Sequence, residues 1–469
     1  MRHHRFARAG AAAVSVLMLA AACSNDRGGS DDPGTTDEGG TSAAELPTDT
    51  FGDLESPCGE GDASGATDQG VTDDSIVIGF GDDKGFTATP GLNQEMGDAM
   101  EAMIAWCNGL GGINGREIVG NRYDAAIFES AQVMKESCGQ DFMMVGQGFG
   151  LDENAEPERI KCKMPTVPGF TISPAATMGP MKYEPAPAPV DQFNYSAQEN
   201  ITQLFPEFKN AAMVNSDSPA VDQGERRYID SFQYVDAPLK NCGIELKSAG
   251  GDNYRAVVQR YKECGVEALY TFTPPSPPIY SFLEAARVEG LELPVLSEST
   301  SYNEAMLDAN VGGLTDGVMV TMQFQPFENA DEVPAIADYL AVMDDHGGLK
   351  ALLGMQSASA FLLWATVAKD CGSELTRQCM VDGLSQVTSW TGGGLHAEAN
   401  PGGNLPSKCS LVMEIKDDAF EQIAPETKGE FFCIDDYRPA GEEAWGGIEL
   451  TKDRIATKYL TDDVLVPSR

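Results

Sequence analysis

The chain has 469 residues, more than one hydrophobic core ordinarily serves, and 42% of them are apolar, so two lobes or domains with a sizeable core are expected. Asp and Glu number 72 against 32 Lys and Arg, a formal net charge of -40. Such a surface repels polyphosphates and anionic bilayers, which argues against a nucleic-acid partner.

The N-terminus reads as an export signal: Arg2, Arg5 and Arg8 supply positive charge before an Ala-rich run from Ala9 to Ala22, too short to span a bilayer. The run ends at Ala20-Ala21-Ala22-Cys23, and this junction resembles a bacterial lipoprotein signal, with Leu19 four places before the cysteine where that family prefers three. The resemblance implies cleavage after residue 22, lipidation of Cys23 and anchorage to the outer face of the cell membrane. Cleavage without lipid is the alternative, and both place the mature chain outside the cytoplasm. Residues 23–70 are rich in Gly, Ser, Thr, Asp and Pro; this composition cannot bury enough apolar area to offset chain entropy and predicts a disordered tether.

From Val71 short apolar runs alternate with amphipathic stretches, the pattern of βαβ units and a parallel sheet. Strands are predicted at Ser75 to Phe80, Glu117 to Arg122, Phe142 to Val145 and Thr166 to Gly169. A helix is predicted over Asn93 to Leu110, where Met96, Met100, Met103, Ile104 and Cys107 recur at three and four residues. Further helices fall near Ser130 to Cys138 and Glu153 to Lys161. The Pro-rich stretch Met178 to Val190 interrupts the alternation and reads as a crossing into a second lobe.

There, strands are predicted at Ala211 to Asn215, Ile244 to Lys247, Ala268 to Thr273, Pro294 to Ser297 and Val318 to Phe324. Helices are predicted at Gly224 to Tyr234, Asn253 to Cys264 and Tyr280 to Glu289. Helical segments at Pro334 to Met343, Gln356 to Lys369 and Thr376 to Val387 read as a return to the first lobe, and Lys408 to Cys433 as an antiparallel ribbon. The expected division is thus 71–190 with about 325–395 for the first lobe, 191–324 with about 396–440 for the second, and 441–469 as a C-terminal tail.

Ten cysteines remain besides Cys23, an even number that predicts disulfides in an exported chain, and none forms the CxxC spacing of zinc or redox motifs. Cys371–Cys379, Cys409–Cys433 and Cys242–Cys264 are expected to pair from their places around the predicted elements. For Cys58, Cys107, Cys138 and Cys162 three connectivities stay open.

The strings Val71-Thr-Asp-Asp-Ser-Ile-Val-Ile-Gly79, Trp106-Cys-Asn-Gly-Leu-Gly-Gly-Ile-Asn-Gly-Arg116, Tyr123-Asp124 and Val145-Gly146 resemble ABC-transporter substrate-binding proteins of the branched-chain amino-acid type. Later echoes are Ser357-Ala-Ser-Ala-Phe361 and Thr391-Gly-Gly-Gly-Leu395. The resemblance implies the type I periplasmic binding protein fold: an α/β protein of two Rossmann-like lobes with parallel sheets, joined by a three-stranded hinge. It further implies a small-molecule ligand, such as an amino acid, an amide or a related organic solute, held in the cleft, and ABC-transporter membrane subunits as partners. An extracellular ligand sensor of the same fold is the alternative, and a secreted hydrolase a more distant one.

Parallel-sheet lobes bind ligands at the carboxyl ends of their strands. The predicted strand-end loops are Gly81 to Ala88, Gln147 to Asp152 and Phe170 to Ser173 in the first lobe, and Ser216 to Ala220, Thr273 to Pro277 and Glu298 to Tyr302 in the second. The candidate contact residues are Phe86, Gln147, Phe149, Phe170, Thr171, Asp217, Ser218, Thr273, Ser276 and Glu298. Thr171 and Glu298 fall at or beside the family's Thr and acidic positions, whereas the family's Ser position is Gly148 or Gly150, which offer only backbone N–H. Catalysis, a cofactor and a metal are not expected. His346 and His396 are the only histidines beyond the signal and read as exposed loop residues; GxSxG and phosphate-loop motifs are absent from the sequence.

Overall fold

The computed structural model describes residues 46–217, 222–272 and 275–468. The chain opens with a short hairpin, β1 (Thr50–Phe51) and β2 (Leu54–Glu55). The first lobe follows as β3 (Ser75–Asp82), α1 (Gln94–Gly109), β4 (Glu117–Asp124), α2 (Ser130–Ser137), β5 (Met143–Val145), α3 (Glu156–Lys161), β6 (Thr166–Val167) and the short α4 (Pro174–Thr177). Its sheet runs β4-β3-β5-β6, every neighbouring pair parallel. The predicted apolar face of α1 is buried, with Met96, Met100, Met103 and Cys107 wholly removed from solvent.

After β7 (Gln192–Phe193) and α5 (Ser196–Leu204), the second lobe is built from β8 (Ala211–Ser216), α6 (Asp222–Gln233), β9 (Glu245–Leu246), α7 (Tyr254–Cys264), β10 (Ala268–Thr271), α8 (Pro277–Val288), β11 (Val295–Ser297), α9 (Glu304–Asp308) and β12 (Val318–Met322). These strands run β9-β8-β10-β11-β12 in parallel. The chain then forms α10 (Pro334–His346), α11 (Leu352–Cys371) and α12 (Arg377–Gln386). Both α10 and α11 pack on α1, and α11 also lies against β5, β6 and α12. Enclosed this way, α11 is apolar on nearly all sides, as a helix surrounded by protein should be. Finally β13 (Cys409–Lys416) adds antiparallel to β12, and β14 (Ala419–Ala424) and β15 (Phe432–Cys433) pair with β13.

The Gly111-Gly-Ile-Asn-Gly-Arg116 string has a structural explanation. Gly111, Gly112, Asn114 and Gly115 all have positive φ in the turn from α1 to β4, and a Cβ on Gly112 would run into the Arg116 carbonyl. Arg116 is 1% exposed and donates to the carbonyls of Gly65, Thr72 and Gly372. The motif therefore ties together the N-terminal segment, the approach to β3 and the residue that follows α11.

Two expectations need correction. Residues 46–70, read as the end of a tether, are part of the folded body: Phe51 is fully buried edge-on against Trp106, Trp106 donates to the Pro47 carbonyl, and Cys58 is bonded to Cys107 of α1. Segment 441–468 is likewise no free tail. A final strand, β16 (Arg438–Pro439), pairs with β7, and Ala456, Leu450 and Trp445 pack with Met178 and Val190 of the first crossing. Arg454 grips Asp191 through two hydrogen bonds of 2.6 and 2.7 Å and also donates to the carbonyls of Gly403 and Asn404.

The disulfides are Cys58–Cys107, Cys138–Cys162, Cys242–Cys264, Cys371–Cys379 and Cys409–Cys433. The last three are the pairs expected from sequence, and the first two choose one of the three open connectivities. No described helix is long and apolar enough to cross a membrane. Cys23 lies outside the described residues.

Candidate ligand-binding site

All strand-end loops predicted from the sequence contribute to one cavity of 510 Å³, within the range of small-molecule sites. The first lobe contributes Phe86, Gly150, Phe170, Thr171 and Ile172, and the second Ser216, Pro275, Ser276, Glu298 and Ser299. Three crossings join the lobes, the first at 178–190, the second from the end of β12 to α10 and the third from α12 to β13, and all reach the cavity. The first supplies Glu184 and Ala186 to Pro189, and the second Met322, Gln323 and Phe324. The second and third crossings are paired, with Gln325 donating to the Leu395 carbonyl and Ala397 to that of Gln323.

Five of the ten candidates, Phe86, Phe170, Thr171, Ser276 and Glu298, line this cavity. Three do not. Gln147 is 6% exposed and donates to Thr166 Oγ1, and Phe149 is 3% exposed in the cluster of Val133, Met134 and Met144. Their loop turns back into its own lobe because Gly150 must reach Asp83. Asp217 is exposed and accepts from the Ser248 N–H, which holds its carboxyl below the usual range. Ser218 and Thr273 lie outside the described residues.

The strand ends of the first lobe are joined by their own acids. Asp83 accepts the N–H groups of Ile127 and Gly150, both at 2.7 Å, so one carboxylate ties the loops after β3, β4 and β5. Burial pushes its carboxyl up to about 6 despite those bonds. The Gly148 N–H donates to the Gly81 carbonyl, so neither glycine keeps the free donor proposed from sequence. Asp82 pairs with Arg122 at 2.6 Å, and Arg122 also meets Asp98 and Glu101. Asp152 accepts from the N–H groups of Ile172 and Ser173, and burial raises its carboxyl to about 7. Thr171 donates to Glu184 at 2.7 Å. Glu184 is also the partner of buried Lys182 at 3.3 Å; burial pushes the lysine down and the glutamate up.

The facing wall is different. Tyr228 stacks on Tyr270 with centroids 5.4 Å apart and tilts against Phe272 at 4.9 Å. Tyr228 and Phe272 reach the cavity with Arg227 and Ser231. Spacing on α6 explains this grouping, because residues 227, 228 and 231 share one helical face. Arg227 has no hydrogen bond or ion-pair partner among the described residues, and burial pulls its guanidinium downward. Glu298 is 3% exposed and accepts from the N–H and hydroxyl of Thr300; burial raises it to about 7. Among the described residues four buried lining atoms have no partner: Ser276 Oγ, Ser410 Oγ, Gln198 Oε1 and Gln356 Oε1.

Sequence reasoning did not single out Arg227, Tyr228, Phe272 or Glu184. The helical phase of 227, 228 and 231 was the available signal. The expectation for His396 is also corrected, since it is 2% exposed beneath Phe324. With Nδ1–H donating to the Ala397 carbonyl at 2.8 Å, Nε2 accepts from Ser359 Oγ at 2.9 Å, and burial lowers the ring to about 4. Neither His396 nor Ser359 lines the cavity. Among the described residues no three His, Cys, Asp or Glu side chains converge as metal ligands.

A family profile described as periplasmic binding protein matches residues 182–419, just over half of the chain. A comparison with curated proteins gives no match. Solved structures with the same fold include a leucine-binding protein from Thermotoga maritima, 14% identical with a TM-score of 0.62, covering 75% of this chain and 98% of that one. An ABC-transporter solute-binding protein from R. palustris in complex with 4-hydroxybenzoate is 16% identical, with a TM-score of 0.60 over 78% of this chain and 97% of that one. A fatty acid ABC transporter substrate-binding protein from Thermomonospora curvata is 15% identical, with a TM-score of 0.62 over 83% of this chain and 98% of that one. The two parallel-sheet lobes, the paired crossings and the matched profile identify the chain as a member of the periplasmic binding protein family, type I fold.

Proposed function

We propose that the protein captures a small organic solute outside the cytoplasm and delivers it to the membrane subunits of an ABC importer, with no chemical step. The observation that carries this reading is the 510 Å³ cavity walled by strand-end loops of both lobes. A solute there excludes water between the lobes, which strengthens each polar contact. Closure about the crossings then turns occupancy into a shape that a membrane partner reads. The similar structures named above for leucine, 4-hydroxybenzoate and fatty acid support a small solute.

Isothermal titration of the purified chain against amino acids, amides, aromatic acids and fatty acids should give one-to-one binding with negative heat-capacity change. A folded protein that binds no member of such a panel would contradict solute capture. Anchorage at Cys23 belongs to the same proposal and rests on the Arg-bearing, Ala-rich leader that precedes it. Replacing Cys23 by Ser should release the protein from the membrane fraction; unchanged retention would count against the lipid.

A further inference from the structure

The charged groups on the cavity wall are Glu184, Arg227, Lys247 and Glu298. Three of them already have protein partners. Glu184 receives Lys182 and the Thr171 hydroxyl, and Glu298 receives the N–H and hydroxyl of Thr300. Lys247 lies 3.9 Å from Asp252 with its side chain 60% exposed. Arg227 alone, among these, has neither a hydrogen bond nor an ion pair with the described residues. Glu184 and, more weakly, Asp152 contribute to the field around it, but Glu184 is bonded to Lys182 and Thr171, and both carboxylate oxygens of Asp152 accept first-lobe N–H groups. A partly buried guanidinium left in this way is costly unless an anion meets it, and its planar fork suits a carboxylate.

The surrounding wall is apolar and aromatic: Phe86 and Phe170 from the first lobe face Tyr228 and Phe272 from the second. Among the described residues no wall carboxylate is left free for an α-ammonium group. The carboxylates of Glu184 and Glu298 are engaged as described, and the cavity-lining acceptors left without a partner among the described residues, Gln198 Oε1, Gln356 Oε1, Ser276 Oγ and Ser410 Oγ, are uncharged. The buried oxygens of Ser276 and Ser410 are unpartnered and suit a second polar group on the solute.

We propose that the solute is an apolar monocarboxylate without an α-amino group, its carboxylate held by Arg227 and its aromatic or aliphatic body between Phe86 and Phe170 on one side and Tyr228 and Phe272 on the other. This rests on the solute-capture reading and gives it a ligand class.

The test compares phenylacetate and octanoate with phenylacetamide and octanamide, and with phenylalanine and leucine, by isothermal titration on the full mature chain. At least one acid should bind, its amide at least tenfold more weakly, and the amino acids more weakly still. Arg227→Gln should remove the preference for acid over amide, Arg227→Lys should retain part of it, and neither should lower the melting temperature. Tighter binding of amides or amino acids than of the acids, or an undiminished acid preference in Arg227→Gln, overturns the proposal. Binding of a neutral or zwitterionic solute alone from the wider panel overturns it as well while leaving solute capture standing. If nothing in either panel binds, both readings fall. The comparison of acid with amide on the unaltered chain keeps the test decisive even if a variant does not fold.

Discussion

In the first lobe the polar groups at the strand ends are engaged with one another: Asp82 with Arg122, Asp83 with the N–H groups of Ile127 and Gly150, Asp152 with those of Ile172 and Ser173. In the second lobe Arg227 has no hydrogen bond or ion pair with the described residues and lines the cavity beside Tyr228 and Phe272. The strand ends of one wall are thus held by internal hydrogen bonds, and the other wall carries the charged group that has no partner among the described residues. The difference locates shape selection mainly on the first lobe and charge recognition on the second. In the amino-acid relatives resembled by the sequence, the first-lobe Ser and Thr positions were expected to hold the ligand; here Gly148 donates inward and Thr171 is bonded to Glu184.

The comparison can be broken most severely at Asp83. Asp83→Ala leaves two buried N–H groups without acceptors, which costs about 1–3 kcal/mol each, so denaturant unfolding should show a loss of about 2–6 kcal/mol. A loss below about 1 kcal/mol would mean that the acid does not organise the three loops. Removing Phe272 by substitution with Ala tests the other wall. It deletes the ring against Tyr228 and exposes part of the binding surface, so affinity should fall about 10- to 100-fold, on the order of 1–3 kcal/mol, with a much smaller change in stability. Equal affinity in Phe272→Ala would place the solute elsewhere.

The smallest expected effect is on pH dependence. Burial raises Asp83 to about 6 and Glu95, Asp152 and Glu298 to about 7. These groups bind protons more readily in the folded chain than in the unfolded one, so the stability they contribute is present at low pH and is lost as pH rises through 6 to 7. His396, lowered to about 4 from 6.5, acts in the opposite direction: its contribution is lost as pH falls from 6.5 toward 4. The melting temperature should therefore be a few degrees higher near pH 6 than at pH 8, with the gain continuing, reduced by His396, until about pH 4. A melting temperature that rises steadily from pH 6 to pH 8 would contradict these burial effects.

Much of the fold was readable because its strands are short apolar runs and its helices carry apolar residues at three and four. The segment Ser75–Asp82 and helix α1 announce themselves in this way, and so do the paired cysteines that bracket α7 and the β13–β15 ribbon. Helix α5 escaped notice because only Ile201 gives it a wholly buried apolar anchor amid Ser, Gln, Glu and Asn. Residues 46–70 misled for a related reason. They have almost no core of their own and are held by Phe51, a disulfide and backbone contacts to distant parts of the chain. His396 follows a glycine run that reads as an exposed loop, but pairing of the second and third crossings draws it inside.

The strand-end loops were found from topology alone, since any parallel βα unit places them at the carboxyl edge. Which of their side chains turn inward was not legible. That choice depends on bonds such as Gly150 to Asp83, made between residues 67 apart in sequence. Arg227 lay in a predicted helix, and its importance follows only from the lack of a described partner once Lys182 has taken Glu184.

A crystal structure of the mature chain grown with phenylacetate or octanoate tests the account most directly. It should show one molecule bridging the lobes, its carboxylate within hydrogen-bond distance of the Arg227 guanidinium and its apolar body against both Phe170 and Phe272. A solute touching one lobe alone, or one whose charged end lies away from Arg227, would contradict it.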